Sequence, residues 1–364
     1  MTVRARAAAS VIAKPLVPTA GAAPVGRGAR GTVAPLLLAA LLAPAGARAQ
    51  EPGVGGQGSA DPLVKIAPHA WAWIATDERS SNSALFVGDS IALVVDPGLT
   101  PGVAREFLAA VRTVTDRPVR YAVLTHWHPD HALGVTCMRG RPFTVVSHPW
   151  TRRVLAERGA RVAVAAARAA PTAAERETFA SCRPAPPDST VADRTAFDLG
   201  RRRVEVFPTG PAHTPGDLVV WEPGERVLVT GDIFMHEASP DMDEGSPRRW
   251  AEVLDSLVSL SPSAVVAGHF GPSRPTDLKR FRDYMHALVG RVTAALAAGV
   301  PPDSVPARVR LPEFADFGQY PQYNATFAGN AEAVVREWLR AKKSGGGPPP
   351  PLWPGAGPRP MLVR

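Results

Sequence analysis

Cysteine is almost missing from this sequence: 364 residues contain only two, Cys137 and Cys182. That scarcity excludes a disulfide-stapled miniature fold, and neither thiol has the close spacing of a zinc knuckle. Two arrangements stay open. One is a single bridge closing a loop of about 45 residues and contributing up to roughly 4 kcal/mol; the other is a pair of buried thiols. Long apolar runs are missing as well. The most apolar stretch, 33–43, is too short to cross a bilayer, so no membrane span is expected. Acidic residues are absent from 1–49, where Arg4, Arg6, Lys14, Arg27, Arg30 and Arg48 supply six of the net charge of +8 and leave +2 on the rest. A chain whose basicity sits in its leader is not expected to bind nucleic acid.

What is present is ordinary in bulk. Hydrophobic residues at 45% and charged residues at 20% describe a globular chain long enough to bury a large core. Residues 1–49 read as a secretory signal peptide. Arg27 and Arg30 precede the apolar stretch, and Ala47-Arg48-Ala49 places small residues for cleavage before Gln50. The charged part is long for a signal, so a misassigned start and an organellar transit peptide are rival readings. A periplasmic or secreted protein is expected. Residues 50–62 are Gly-rich and read as a flexible lead-in, 63–343 as the folded domain, and 344–364 as a Pro/Gly-rich disordered tail.

Within the domain, strands are predicted at 63–66, 70–74, 84–87 and 91–96, followed by a helix at 103–114 and a strand at 120–124. Further strands are predicted at 143–147, 204–207, 218–221, 226–230 and 264–267. Helices are predicted at 150–170, 248–260, 277–298 and 332–342. The Pro-punctuated stretch 171–198 reads as a surface insertion near the site. Strands and helices in this order suggest a sheet-rich α/β domain with helices outside.

Chemistry is concentrated after the strand 120–124, in Thr125-His126-Trp127-His128-Pro129-Asp130-His131-Ala132-Leu133-Gly134. Three imidazoles and a carboxylate within six residues are metal-ligand types at metal-ligand density. A lone histidine is usually a satisfied core or surface residue; four such groups packed so tightly rarely are. Three later positions also follow predicted strands. They are His213 in Ala212-His213-Thr214-Pro215-Gly216-Asp217, Asp232 in Thr230-Gly231-Asp232, and His269 in Gly268-His269-Phe270-Gly271. Taken singly each is weak, since a Gly-Asp after a strand is more often a turn. In this order behind the first motif they are strong. Loops at strand ends are where α/β folds build sites, and neighbouring glycines permit close backbone approach.

This set resembles the metallo-β-lactamase superfamily over roughly 64–274, and Asp96 in Val95-Asp96-Pro97-Gly98 matches an early-strand Asp that supports that family's metal loop. The resemblance implies an αββα sandwich, two mixed β-sheets with helices on the outer faces and metals at one edge. By position, His126, His128 and His213 would hold one zinc and Asp130, His131 and His269 a second, with Asp232 bridging. A secreted, metal-dependent hydrolase with two Zn2+ and a small-molecule substrate is therefore expected, opening an ester, thioester, lactone or amide. Two divalent ions about 3.5–4 Å apart can share a hydroxide that attacks the carbonyl. Asp130 is a candidate to orient that nucleophile or relay its proton, or to act only as a ligand.

Three alternatives accompany this reading. A β-lactamase is disfavoured because Asp232 looks like the bridging carboxylate of glyoxalase II and lactonases. A mononuclear Fe(II) enzyme resembling persulfide dioxygenases would leave the second ligand group unused. A binding protein that keeps metals without turnover has no positive signal. Among other polar residues, His236 either faces the cleft or is simply exposed. Trp71, Trp73, Trp127, Tyr320 and Tyr323 either line the substrate or pack the core. His69, His148 and His286 are expected to be structural, Ser81, Ser83 and Ser239 to be loop residues, and Asn324 begins a glycosylation triplet.

Overall fold

The computed structural model describes residues 63–77, 79–318 and 327–344, and the backbone of 361–363. The expected leader and lead-in, Tyr320, Tyr323 and Asn324 lie outside the described residues. The first sheet contains β1 (Leu63–Ala67), β2 (Ala70–Trp73), β3 (Ser83–Val87), β4 (Ala92–Val95), β5 (Val119–Val123), β6 (Thr144–Ser147) and β7 (Ser189–Thr190), side by side in that order. The strands β1 to β4 are an antiparallel meander, and β4 to β7 pair in parallel. Against this sheet lie α1 (Pro101–Val114), α2 (Pro129–Thr136) and α3 (Pro149–Ala169), and α4 (Ala173–Ser181) packs on α3.

The second sheet takes β8 (Thr195–Asp198), β9 (Arg203–Pro208), β10 (Leu218–Glu222), β11 (Val227–Val229), β12 (Ala264–Val266) and β13 (Met361–Val363), in the spatial order β12-β11-β10-β9-β8-β13. Helices α5 (Pro247–Ser259), α6 (Pro275–Ala297), α7 (Val305–Arg308) and α8 (Phe327–Lys343) accompany it.

Both sheets are mixed, and alternation along the strands explains the layering. In β4, Leu93 and Val95 join the core between the sheets, while Ala92 and Val94 face α1. In β10, Leu218 and Val220 point inward, while Val219 and Trp221 join the cluster under α5 and α6. A strand apolar on both faces must be covered on both, which forces four layers: helices, sheet, sheet, helices. Each Val or Leu removed from water contributes roughly 1.5–3 kcal/mol. Helix α5 shows the matching 3.6 period, burying Trp250, Val253, Leu254 and Leu257 behind a Ser246 cap and Pro247. The expected αββα architecture is the observed one.

Three details differ from the sequence reading or settle it. The stretch 171–198, for which the sequence predicts no helix or strand, holds α4, β7 and β8, the helix starting at a Thr172 side-chain cap and burying only Phe179. A nine-residue helix with one buried residue leaves little periodic signal. The stretch expected to be a disordered tail ends in a strand, β13, parallel to β8. Of the two arrangements open to the cysteines, the bridge is the one formed, with Cα atoms 5.3 Å apart.

Candidate metal centre

The first sheet delivers the dense motif at the end of β5. Thr125 donates its N–H to Asp96 Oδ1 at 2.8 Å and its hydroxyl to Asp96 Oδ2 at 2.6 Å. Asp96 has φ +45°, a left-handed conformation that a non-glycine residue adopts at a cost of roughly 1–3 kcal/mol. That strain aims its carboxylate across the strand end, where Oδ2 also lies 2.8 Å from His131 Nδ1. His128 stands at the N-cap position of α2 without a side-chain cap bond and Pro129 opens the helix, so Asp130 and His131 fall in the first helical turn.

The second sheet supplies the other three from loops after β9, β11 and β12. His213 is tied down by its N–H to Asp217 Oδ2 at 2.7 Å and by its Nδ1 beside the Asp241 carbonyl at 3.2 Å. Asp232 sits in a one-turn 3-10 helix, Gly231–Ile233. A Cβ at Gly268 would run into the Asp232 carboxylate, so glycine there lets the His269 loop close onto it.

All seven expected side chains converge. The donor atoms of His126, His128, His213 and Asp232 lie within 4.8 Å of one another, as do those of Asp130, His131 and His269. Asp232 spans the two groups. Its Oδ2 is 3.6 Å from His126 Nε2 and 3.5 Å from His213 Nε2, while Oδ1 is 3.0 Å from His131 Nε2 and 3.5 Å from His269 Nε2. Asp130 Oδ2 lies 2.9 Å from His269 Nε2 and 3.2 Å from His131 Nε2.

Electrostatics point to a cation. Burial pushes His126 well below the ordinary imidazole value, with His131 adding to the drop, and burial with His213 brings His128 to about 4. His213 is lowered by burial too. Burial also opposes a charge on His131, but Asp232, Asp130 and Asp96 outweigh it and hold that ring well above its usual value. Asp130 and Asp232 are held well below the carboxylate range, burial being overcome by the facing imidazoles, His131 first. The lowered rings of His126, His128 and His213 beside ionised Asp130 and Asp232 match the state a metal requires, and His131, held charged by its carboxylates, would give up its proton to a bound cation. His126 Nε2, His131 Nε2, Asp130 Oδ2 and Asp232 Oδ1 are buried atoms without a hydrogen-bond partner. Such atoms are costly unless something else occupies their lone pairs, so the donor set fits divalent cations.

Residues outside the motifs brace it. Ser81 donates to the Asp130 carbonyl at 2.8 Å and Ser83 to the Asp96 carbonyl at 2.6 Å, so two serines read as loop residues in fact hold ligand-bearing backbone. Asn82, not singled out in the sequence, donates to the carbonyls of Ala267 and Phe270 on either side of His269. The only sequence signal was a polar Ser-Ser-Asn-Ser run before a strand. Asp217, pushed up to about 7 by burial, accepts bonds from the Thr214 amide and hydroxyl and shapes the His213 turn.

Trp127 belongs to the site's surroundings, edge-on to His128 with ring centroids 4.7 Å apart. Trp71 and Trp73 pack against the core on the α1 side. Partly buried His236 donates its N–H to the His269 carbonyl and holds Nδ1 3.7 Å from Asp277, beside the donor groups rather than in them. His69, His148 and His286 pair with Glu225, the Trp150 amide and Asp255, away from the centre. Ser239 pairs with Tyr284.

Comparison with known proteins agrees with this picture. The family model described as "Metallo-beta-lactamase superfamily" matches residues 76–269. A linear primary-alkylsulfatase from Pseudomonas sp. is 23% identical over 284 residues, covering 67% of this chain and 52% of that protein. The chain thus spans about half the length of that relative. A hydroxyacylglutathione hydrolase from Rhodobacter capsulatus is 26% identical over 240 residues, covering 64% of this chain and 75% of that one. Among solved structures, the inverting sec-alkylsulfatase Pisa1 from Pseudomonas sp. superposes with TM-score 0.60 at 19% identity, covering 77% of this chain and 50% of that one. A metallo-beta-lactamase from Pontibacter korlensis reaches TM-score 0.50 at 21% identity, covering 62% and 98%. At these identities the structures speak for the fold alone.

Proposed function

The chain belongs to the metallo-beta-lactamase superfamily, and from that premise we propose that it is a secreted or periplasmic dinuclear zinc hydrolase opening an ester, thioester, lactone or amide bond. The observation that carries this reading is Asp232, whose two oxygens face separate donor groups. His126, His128 and His213 would hold one ion, Asp130, His131 and His269 the other, with Asp232 between them. Imidazole and carboxylate donors suit zinc. A mononuclear iron site would leave the complete group of Asp130, His131 and His269 without purpose. Bound zinc would supply an acidified water and polarise the scissile carbonyl.

The chain's own residues do the rest. Asp96 and the Asp241 carbonyl, each facing an Nδ1, turn His131 Nε2 and His213 Nε2 toward the centre. Asp130, whose side chain keeps 15% exposure while its Oδ2 faces His131 and His269, is the carboxylate of the centre placed to orient an attacking water. The Cys137–Cys182 bridge supports an oxidising compartment. Hydrolysis is also the chemistry in the name of one of the relatives, the hydroxyacylglutathione hydrolase.

Elemental analysis of the purified mature chain should find about two zinc per chain, with mass spectrometry placing its N-terminus at Gln50. The zinc-loaded protein should turn over at least one of nitrocefin, a homoserine lactone, S-lactoylglutathione, an alkyl sulfate and a carboxylic ester. A single iron, or no metal and no turnover, overturns the proposal.

A further inference from the structure

A groove opens directly onto Asp130. It encloses about 270 Å3, with walls of Leu99, Pro129, Ala166, Ala169 and Phe179. Asp130 is one of its lining residues, and its 15% exposure contrasts with 0% for the His131 side chain and 4% for Asp232. Of the ionisable donors at the centre, Asp130 is thus the one that meets the groove. The far wall is the hairpin of α3 and α4, whose apolar face joins Leu99 and Leu133 in one cluster. The hairpin is fastened at its end by the Cys137–Cys182 bridge, which ties the C-cap of α4 to the C-cap of α2.

The charge inventory of the groove is short. Among the described residues Arg79 is its one lining cation, and Arg79 Nη1 is already engaged with Glu175 Oε2 at 3.0 Å. A guanidinium neutralised by a carboxylate offers little to an anionic substrate group. The pair instead links the loop before β3 to α4 beside the groove. What remains for a ligand is apolar surface, and burying it is favourable in proportion to area.

Resting on the hydrolase reading above, we infer that the substrate carries an uncharged apolar substituent of several carbons next to the scissile bond, and that the α3–α4 hairpin selects it. For an ester, water adds across the acyl–oxygen bond, hydroxyl going to the acyl carbon and a proton to the departing alcohol. The groove contributes binding that only the longer substituent can use.

The test is a chain-length series on the zinc-loaded full protein: p-nitrophenyl acetate, butyrate, hexanoate and octanoate, with a matching series of acetate esters of lengthening alcohols. In one of the two series kcat/KM is expected to rise at least tenfold from the shortest member to the six-carbon one. Ala166→Trp, which fills the groove, should flatten that rise to less than threefold. Ala169→Trp, on the exposed end of the same wall, serves if the first variant does not fold by circular dichroism. A native protein that binds two zinc and cleaves the acetyl ester, but shows no length preference in either series, overturns this inference and spares the hydrolase reading. Absence of both metal and ester cleavage overturns the hydrolase reading itself. A length preference unchanged in both tryptophan variants removes the hairpin from the selection and also overturns the inference.

Discussion

The stretch 125–136 and the α3–α4 hairpin lie against each other and are held in place by opposite means. The first is dense in polar groups and completely ordered by them: Asp96 alone accepts two bonds from Thr125 and faces His131, and Ser81 and Ser83 fasten the backbone nearby. The second is Ala- and Val-rich, with Val154, Leu155, Val162 and Phe179 buried, and is held mainly by that packing, helped by a covalent bridge, a Thr151 hydroxyl bond to the Gly216 carbonyl and a partly exposed ion pair. Placing donor atoms needs directional bonds, because a ligand turned by a few tens of degrees is lost. Making a wall needs only shape, which apolar packing supplies.

If that contrast is right, damage to the two regions should separate stability from metal content. The largest expected effect is on the hairpin. Replacing Cys137 and Cys182 together by Ser should cost about 4 kcal/mol of unfolding free energy in a denaturant titration, with zinc content unchanged. Loss of zinc in that variant would show the two regions to be one unit.

Next comes the point where the two donor groups meet. Asp232→Ala should lower zinc from about two per chain toward one and cut turnover roughly tenfold or more, with the fold retained. Removing a shared carboxylate leaves two cations poorly shielded in a site of low dielectric, so the second ion departs first. Full occupancy with near-native turnover would reduce Asp232 to a turn residue, whose loss costs only about 1 kcal/mol.

A smaller change tests the bracing alone. Asp96→Asn keeps the shape but removes the charge facing His131 Nδ1. Metal affinity of the group around His131 should fall about tenfold in a competing-chelator titration, and that of the group around His126 much less. An equal fall in both would mean that Asp96 supports the whole loop rather than one ring.

The smallest expected effect returns to the hairpin. Arg79 and Glu175 keep 33% and 31% side-chain exposure, so Arg79→Ala should cost only about 0.2–1 kcal/mol by thermal unfolding. A larger loss would mean that the ion pair, and not the bridge, holds the hairpin.

How much of this was legible in advance follows the same division. His126, His128, Asp130 and His131 are recognisable because four metal-type donors in six residues are improbable for any other purpose. Strands and long helices were legible too, since periods of two and 3.6 are written locally in residues such as Leu93-Val94-Val95 or Trp250, Val253, Leu254 and Leu257. Helix α4 was missed because one buried residue in nine carries no period. The prolines around it looked like loop punctuation.

By itself, then, the sequence determined the alternation that forces two covered sheets, the cluster of donors behind β5 and the order of the remaining ligands. These depend on neighbours along the chain, whose geometry is set by covalent spacing and backbone period. Only the tertiary structure decided that Asn82 clamps carbonyls 185 and 188 positions away, that Asp232 turns one oxygen to each donor group, and that Cys137 meets Cys182. The same holds for the choice of Trp127 over Trp71 and Trp73 as the tryptophan at the site. Contacts between distant segments depend on how two sheets and their helices pack, a condition on the whole chain that no local pattern records.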